Sequence, residues 1–177
     1  MTTPKTLLML GDSLVEWGDW ETLLPALQVI NRGIAGEHVE NLAARLTDEI
    51  MEIPAPDHIL LMAGTNNLLM GSDFFPSIFS SMLPRLVALC PETTITVNSI
   101  MPMSIAGLSS ATIDSINQML NTVSQDSNCL FLDMTAPFTE QCLPITKPGF
   151  LADGVHLSTH GYQVWAAEIS RHLQESG

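Results

Sequence analysis

Thr6-Leu7-Leu8-Met9-Leu10-Gly11-Asp12-Ser13-Leu14 opens the chain with an apolar run that breaks, without a linker, into a polar turn. A run with no polar alternation reads as a strand covered on both faces, the habit of a parallel sheet. Four further short segments, 28–31, 58–63, 94–100 and 129–133, read the same way, with 6–10 as the first strand. Helical spacing fills the intervals. Residues 37–51 place Val39, Leu42, Ala43, Leu46 and Ile50 on one face, and 74–89 and 110–124 repeat that spacing. Pro84 predicts a kink or a split in the second of these helices. Ser158 and Thr159 can cap a last helix with Tyr162, Trp165, Ala166, Ile169 and Leu173 as its apolar stripe. Strands alternating with helices predict an α/β fold with a five-stranded parallel sheet, right-handed crossovers and a flavodoxin-like strand order. Without a repeat or interdomain linker, 1–177 reads as one domain, and 137–154 as its longest irregular loop.

Composition narrows the partners. Hydrophobic residues make up 46% of the chain and charged residues 14%, which excludes a disordered polyampholyte. The net charge of -13, with only six Lys and Arg, repels phosphate backbones and anionic lipid, so no nucleic-acid partner is expected. Cys90 and Cys129 sit beside apolar runs and read as core residues, while the state of Cys142 is open; the spacing supports neither a disulfide framework nor a metal knuckle. The first apolar run is too short for a signal segment or a membrane span. The chain thus reads as cytoplasmic, with no integral membrane association.

The polar residues fall at the predicted strand ends. Strand one runs into Gly11-Asp12-Ser13-Leu14, strand two into Arg32-Gly33-Ile34-Ala35-Gly36, and strand three into Gly64-Thr65-Asn66-Asn67. A parallel sheet brings these loops to one edge. Asp153-Gly154-Val155-His156, just before the last helix, can close over it. Each residue has an ordinary structural reading: Ser13 as a helix cap, Gly33 and Asn66 as turn residues, Asp153 as a turn aspartate. Together they match acyl-transfer chemistry. A serine hydroxyl needs an imidazole to take its proton, which His156 can do, and a carboxylate such as Asp153 fixes the imidazole tautomer. A backbone amide at Gly33 and the side-chain amide of Asn66 can face a developing oxyanion.

These four blocks, in this order, resemble the SGNH (GDSL-type) hydrolase family: Gly11-Asp12-Ser13-Leu14, Asn31-Arg32-Gly33, Gly64-Thr65-Asn66 and Asp153-Gly154-Val155-His156. The resemblance covers essentially the whole chain. It implies a three-layer α/β/α sandwich and a serine esterase acting on small-molecule esters without cofactor. It also implies Ser13 as nucleophile, His156 as base oriented by Asp153, and an oxyanion hole made by the Ser13 amide, the Gly33 amide and Asn66. The third block departs from the common pattern by having Asn67 in place of Asp, which leaves that position's role open. Its Gly-Thr-Asn-Asn form is similar to platelet-activating-factor acetylhydrolase-like esterases and favours short acyl groups. No Gly-x-Ser-x-Gly elbow is present, which disfavours an ordinary α/β-hydrolase.

Other readings stay beside this one. The same machinery with a longer pocket makes a thioesterase or lysophospholipase. A non-catalytic flavodoxin-like module would want a phosphate-cradling loop or a placed lysine, and neither Lys5 nor Lys147 lies at a strand end. His156 and His160, four apart, have metal-ligand spacing but no intervening Glu, so no metal is expected. His38 and His58 read as surface or strand-edge residues, and His172 as a cation in the last helical turn. Trp17, Trp20, Met70, Phe74 and Phe75 are read either as core aromatics and apolar residues or as walls of an acyl pocket.

Overall fold

The structure is a computed structural model describing residues 4–103, 105, 107–143 and 148–175. Lys147 and its three predecessors therefore lie outside the described residues. Five strands, β1 (Thr6–Gly11), β2 (Gln28–Gly33), β3 (His58–Met62), β4 (Thr94–Asn98) and β5 (Leu130–Leu132), form a parallel sheet in the order β2-β1-β3-β4-β5. The flavodoxin-like order expected from the sequence is the one observed. Burial explains it: β1 and β3 are buried along their apolar lengths, whereas β2, at one edge, is only half covered.

Helices α1 (Ser13–Glu16), α2 (Trp20–Leu23), α3 (Val39–Met51), α4 (Thr65–Leu69), α5 (Pro76–Leu89), α6 (Ser110–Asp126), α7 (Thr135–Gln141) and α8 (Thr159–Glu175) complete the layers. Helix α3 packs on α5 and α5 on α6, while α8 packs on α2 and α7. Two sequence expectations change here. Helix α5 is a single helix with Pro84 inside it; Pro84 and Ser80 are both exposed, so the carbonyl that loses its partner faces water. The stretch read as loop from 137 onward begins inside α7. Pro137 sits in that helix's first turn, where its missing N–H costs no hydrogen bond.

The strand register aligns the functional edge. Gly11 pairs with Gly33 on one side and Met62 on the other, so three strands end level with one another. A Cβ on Gly11 would lie 2.0 Å from the Met62 carbonyl oxygen, so glycine is required where the chain leaves the sheet.

Candidate active site

Ser13 is the first residue of α1, and Asp12 is its N-cap: Asp12 Oδ1 accepts from the Leu14 N–H at 3.0 Å. Polar turn residues after a buried strand produce this start, and they leave the Ser13 N–H without an acceptor in the helix. The Ser13 side chain is nearly buried, and its Oγ lies 3.1 Å from His156 Nε2. On the other side of the ring, His156 Nδ1 is 2.7 Å from Asp153 Oδ2. The three residues predicted to meet do meet.

The Asp-Gly-Val-His spacing has a local cause. Asp153 Oδ1 accepts from both the Val155 N–H (2.9 Å) and the His156 N–H (3.0 Å), closing an Asx turn helped by positive φ at Gly154. The other oxygen is then free for the imidazole. Hydrogen bonding by His156 and by the Val155 amide pulls the Asp153 carboxyl down to about 2, so it stays ionised at neutral pH. The Phe150–Leu157 bridge and the Leu151 N–H to His156 carbonyl bond, 2.7 Å, hold the loop's two sides together.

Asp12 behaves differently. Its Oδ2 is buried close to the Thr65 hydroxyl, and neither atom makes a hydrogen bond of full geometry among the described residues. Burial raises the Asp12 carboxyl to about 6 against the lowering effects of the Leu14 amide, Thr65 and His156.

The two residues expected to donate to an oxyanion have different surroundings. Gly33 lies at the predicted edge, but its N–H donates to Asn31 Oδ1 at 2.9 Å. A Cβ there would meet the Glu16 nitrogen at 2.2 Å, so this glycine lets β2 pack against α1. Asn31 Nδ2 donates in turn to the carbonyls of Val15 and Glu16. The Gly33 amide is therefore already engaged. Gly36, three residues on, has φ of +77° and open space around it, and its N–H makes no hydrogen bond among the described residues. The sequence reading named Gly36 only as the last residue of the Gly33-Ile34-Ala35-Gly36 run. Asn66 Nδ2 donates to the Glu37 carbonyl at 3.0 Å, which orients the amide and leaves its second N–H.

The loop holding Gly36 and Glu37 is anchored from below. Buried Glu37 takes two hydrogen bonds from Arg45, which also reaches Glu49 and the Arg32 carbonyl, and Arg32 pairs with Glu49. Asn67 is resolved as a structural residue. Its Oδ1 accepts the Val39 N–H at 3.0 Å and its Nδ2 reaches Glu40, so it caps α3 across 28 positions.

Of the remaining candidates, Trp20 and Phe75 are core residues, while Met70 and Phe74 are exposed. Trp17 is 53% exposed yet stacks on the His156 ring. His160 Nε2 is 2.9 Å from the Gln141 carbonyl, and no metal-binding group of His, Cys, Asp or Glu occurs among the described residues. His58 is buried at the start of a central strand rather than at the surface. His172 faces Thr96 Oγ1 at 3.1 Å, and burial lowers its basicity, which works against the terminal cation expected from the sequence. All three cysteines are free and buried; burial raises Cys142 and Cys129 to about 11. No helix of the described residues is long and apolar enough to cross a membrane.

A parallel sheet whose carboxyl edge carries a serine, an imidazole and a carboxylate in sequence defines a class of α/β hydrolytic folds. The family model for GDSL-like lipases and acylhydrolases matches residues 9–164, and the chain belongs to that family. It is a carboxylic ester hydrolase. An acetylxylan esterase of Geobacillus stearothermophilus is 25% identical over 162 residues, 83% of this chain and 72% of that one. Among solved structures, the fold resembles a mutant of Axe2, an acetylxylan esterase from the same organism, with TM-score 0.79 and 19% identity over 98% of this chain and 95% of that one. It also resembles a GDSL-like lipase of Bacteroides thetaiotaomicron, with TM-score 0.78 and 18% identity over 98% and 90% of the two chains.

Proposed function

We propose that the chain hydrolyses esters of short acyl groups, acetyl foremost, through an acyl-serine intermediate. The observation that carries this is the unbroken run of bonds from Ser13 Oγ to His156 Nε2 at 3.1 Å and from His156 Nδ1 to Asp153 at 2.7 Å. His156 takes the Ser13 proton as Oγ attacks the ester carbonyl, and Asp153 stabilises the imidazolium so formed. The tetrahedral adduct collapses when His156 returns that proton to the departing alcohol. Water, deprotonated by His156, then attacks the acyl group; the acid leaves and Ser13 regains its hydrogen.

The oxyanion donors in this reading are the Ser13 N–H, the free Asn66 N–H and the Gly36 N–H. Gly36 replaces Gly33 because the Gly33 amide is bound to Asn31, whereas Gly36 adjoins the Glu37 carbonyl that orients Asn66. Each donor is worth roughly 10²–10³ in kcat. Support for the serine and the carboxylate also comes from Axe2, of which two solved forms are catalytic mutants, one with a serine and one with an aspartate replaced by alanine. The acetyl preference draws on the acetylxylan esterase relative.

The test is labelling with a fluorophosphonate probe alongside a p-nitrophenyl ester series from acetyl to palmitoyl. The parent should be labelled at Ser13 and turn over acetate fastest, while Ser13→Ala should lose both with an unchanged melting curve. Full hydrolysis by Ser13→Ala would remove the mechanism, and a palmitoyl optimum would replace the short-acyl reading with a lysophospholipase-like one.

A further inference from the structure

Trp17 is the C-cap of α1, and its N–H closes the helix onto the Ser13 carbonyl at 3.0 Å. It stands four residues after Ser13, so the two side chains share one face of that single turn. The indole lies on the ring of His156, with centroids 4.2 Å apart and planes inclined by 24°. Other tryptophans in the fold have packing to explain them: Trp20 and Trp165 are buried against each other. Trp17, at 53% exposure, has the imidazole as its one ring neighbour among the described residues.

We infer that Trp17 is a positioning residue for His156, holding the ring between Ser13 and Asp153 and stabilising its protonated form through the indole face. The physical asymmetry lies between the two states of the ring. An imidazolium over the face of tryptophan gains a cation–π attraction that a neutral imidazole lacks. That gain exists while His156 carries the Ser13 proton, so it lowers the barrier rather than tightening substrate binding. Asp153, from the loop, bonds the ring, and Asp12, at the start of α1, interacts with it through charge; Glu37 acts on Asp12, and Asp12 in turn on Tyr162. Asp153 meets the ring at its Nδ1 edge, whereas Trp17 covers a face. The inference rests on His156 being the base proposed above.

The experiment uses Trp17→Leu, Trp17→Phe and His156→Asn in the full chain. Trp17→Leu should lose kcat on p-nitrophenyl acetate by about 3- to 10-fold with KM within about 2-fold, as expected for a removed cation–π contact. Trp17→Phe should recover most of that loss. In the parent, Trp17 emission should fall as the imidazole gains a proton on acidification, because imidazolium accepts an electron from excited indole. That quench should vanish in both Trp17→Phe and His156→Asn. An unchanged kcat in Trp17→Leu, a rise in KM alone, or a quench that persists in His156→Asn would overturn the inference. The quench needs no turnover, so it separates failure here from failure of the esterase reading, which would show instead as absent Ser13 labelling.

Discussion

The Asp12 carboxyl does two jobs that conflict. One oxygen caps α1 through Leu14, and the other is buried with only the Thr65 hydroxyl to soften its charge among the described residues. Burial raises its folded value to about 6, against 3.8 for the free side chain. Between those two values the folded chain holds a proton that the unfolded chain has released. Stability from this group is therefore greatest below about pH 4 and falls as pH rises towards 6, beyond which the deficit is constant. A shift of that size corresponds to at most about 3 kcal/mol. Asn caps a helix as well as Asp does and carries no charge. Asp12→Asn should therefore stabilise the protein by about 1–3 kcal/mol at pH 8 and by nearly nothing at pH 4. Urea melts at the two pH values decide it; an equal gain at both would show that charge burial is not the cause.

At the scale of elements, the two glycines after β2 make a contrast that sequence alone did not resolve. Gly33 ends β2 and Gly36 lies in the turn just beyond it, and both suit a turn, but what Gly33 packs against belongs to α1, formed some twenty residues earlier, whereas Gly36 packs against nothing within 4 Å. Gly33→Ala would drive a Cβ into the Glu16 backbone at 2.2 Å and lever α1, with Ser13 on it, away from β2. We expect a loss of about 2–3 kcal/mol and of most activity. Gly36→Ala meets nothing within 4 Å and pays only for its positive φ, about 1 kcal/mol. Thermal melts beside ester assays should separate the two. The same logic sorts what was legible. β1 and β3 could be read because a strand buried on both faces has to be apolar throughout. Ser13, Asp153 and His156 could be read because strand ends and an Asx turn are local. Helix α7 was missed because Pro137 breaks helices everywhere except the first turn, and the first turn is invisible without its partners. Asn67 stayed open because the amide it caps lies 28 positions away.

Across the whole molecule, the site exists because positions 143 residues apart are brought together, and α8 does the bringing. Trp165, fully buried on α8, donates from Nε1 to Asn98 Oδ1 at the end of β4, 2.8 Å away. It packs edge-on to Trp20 at 5.0 Å, and Trp20 Nε1 donates to the Val15 carbonyl of α1. Tyr162, one turn earlier on α8, donates to the Leu14 carbonyl at 2.9 Å. The sheet, the last helix and the helix bearing Ser13 are thereby joined through one aromatic cluster. Trp165→Phe keeps a ring in that cluster but strands Asn98 Oδ1, which should cost about 1–3 kcal/mol for the orphaned acceptor on top of the lost volume. Asn98→Ala on its own strands the indole N–H instead. With both changed, neither group is left wanting, so the double variant should be less destabilised than the sum of the singles by roughly 1 kcal/mol or more. Urea denaturation of the four proteins measures that coupling. Simple additivity would mean that the Trp165–Asn98 bond is not what ties α8 to the sheet.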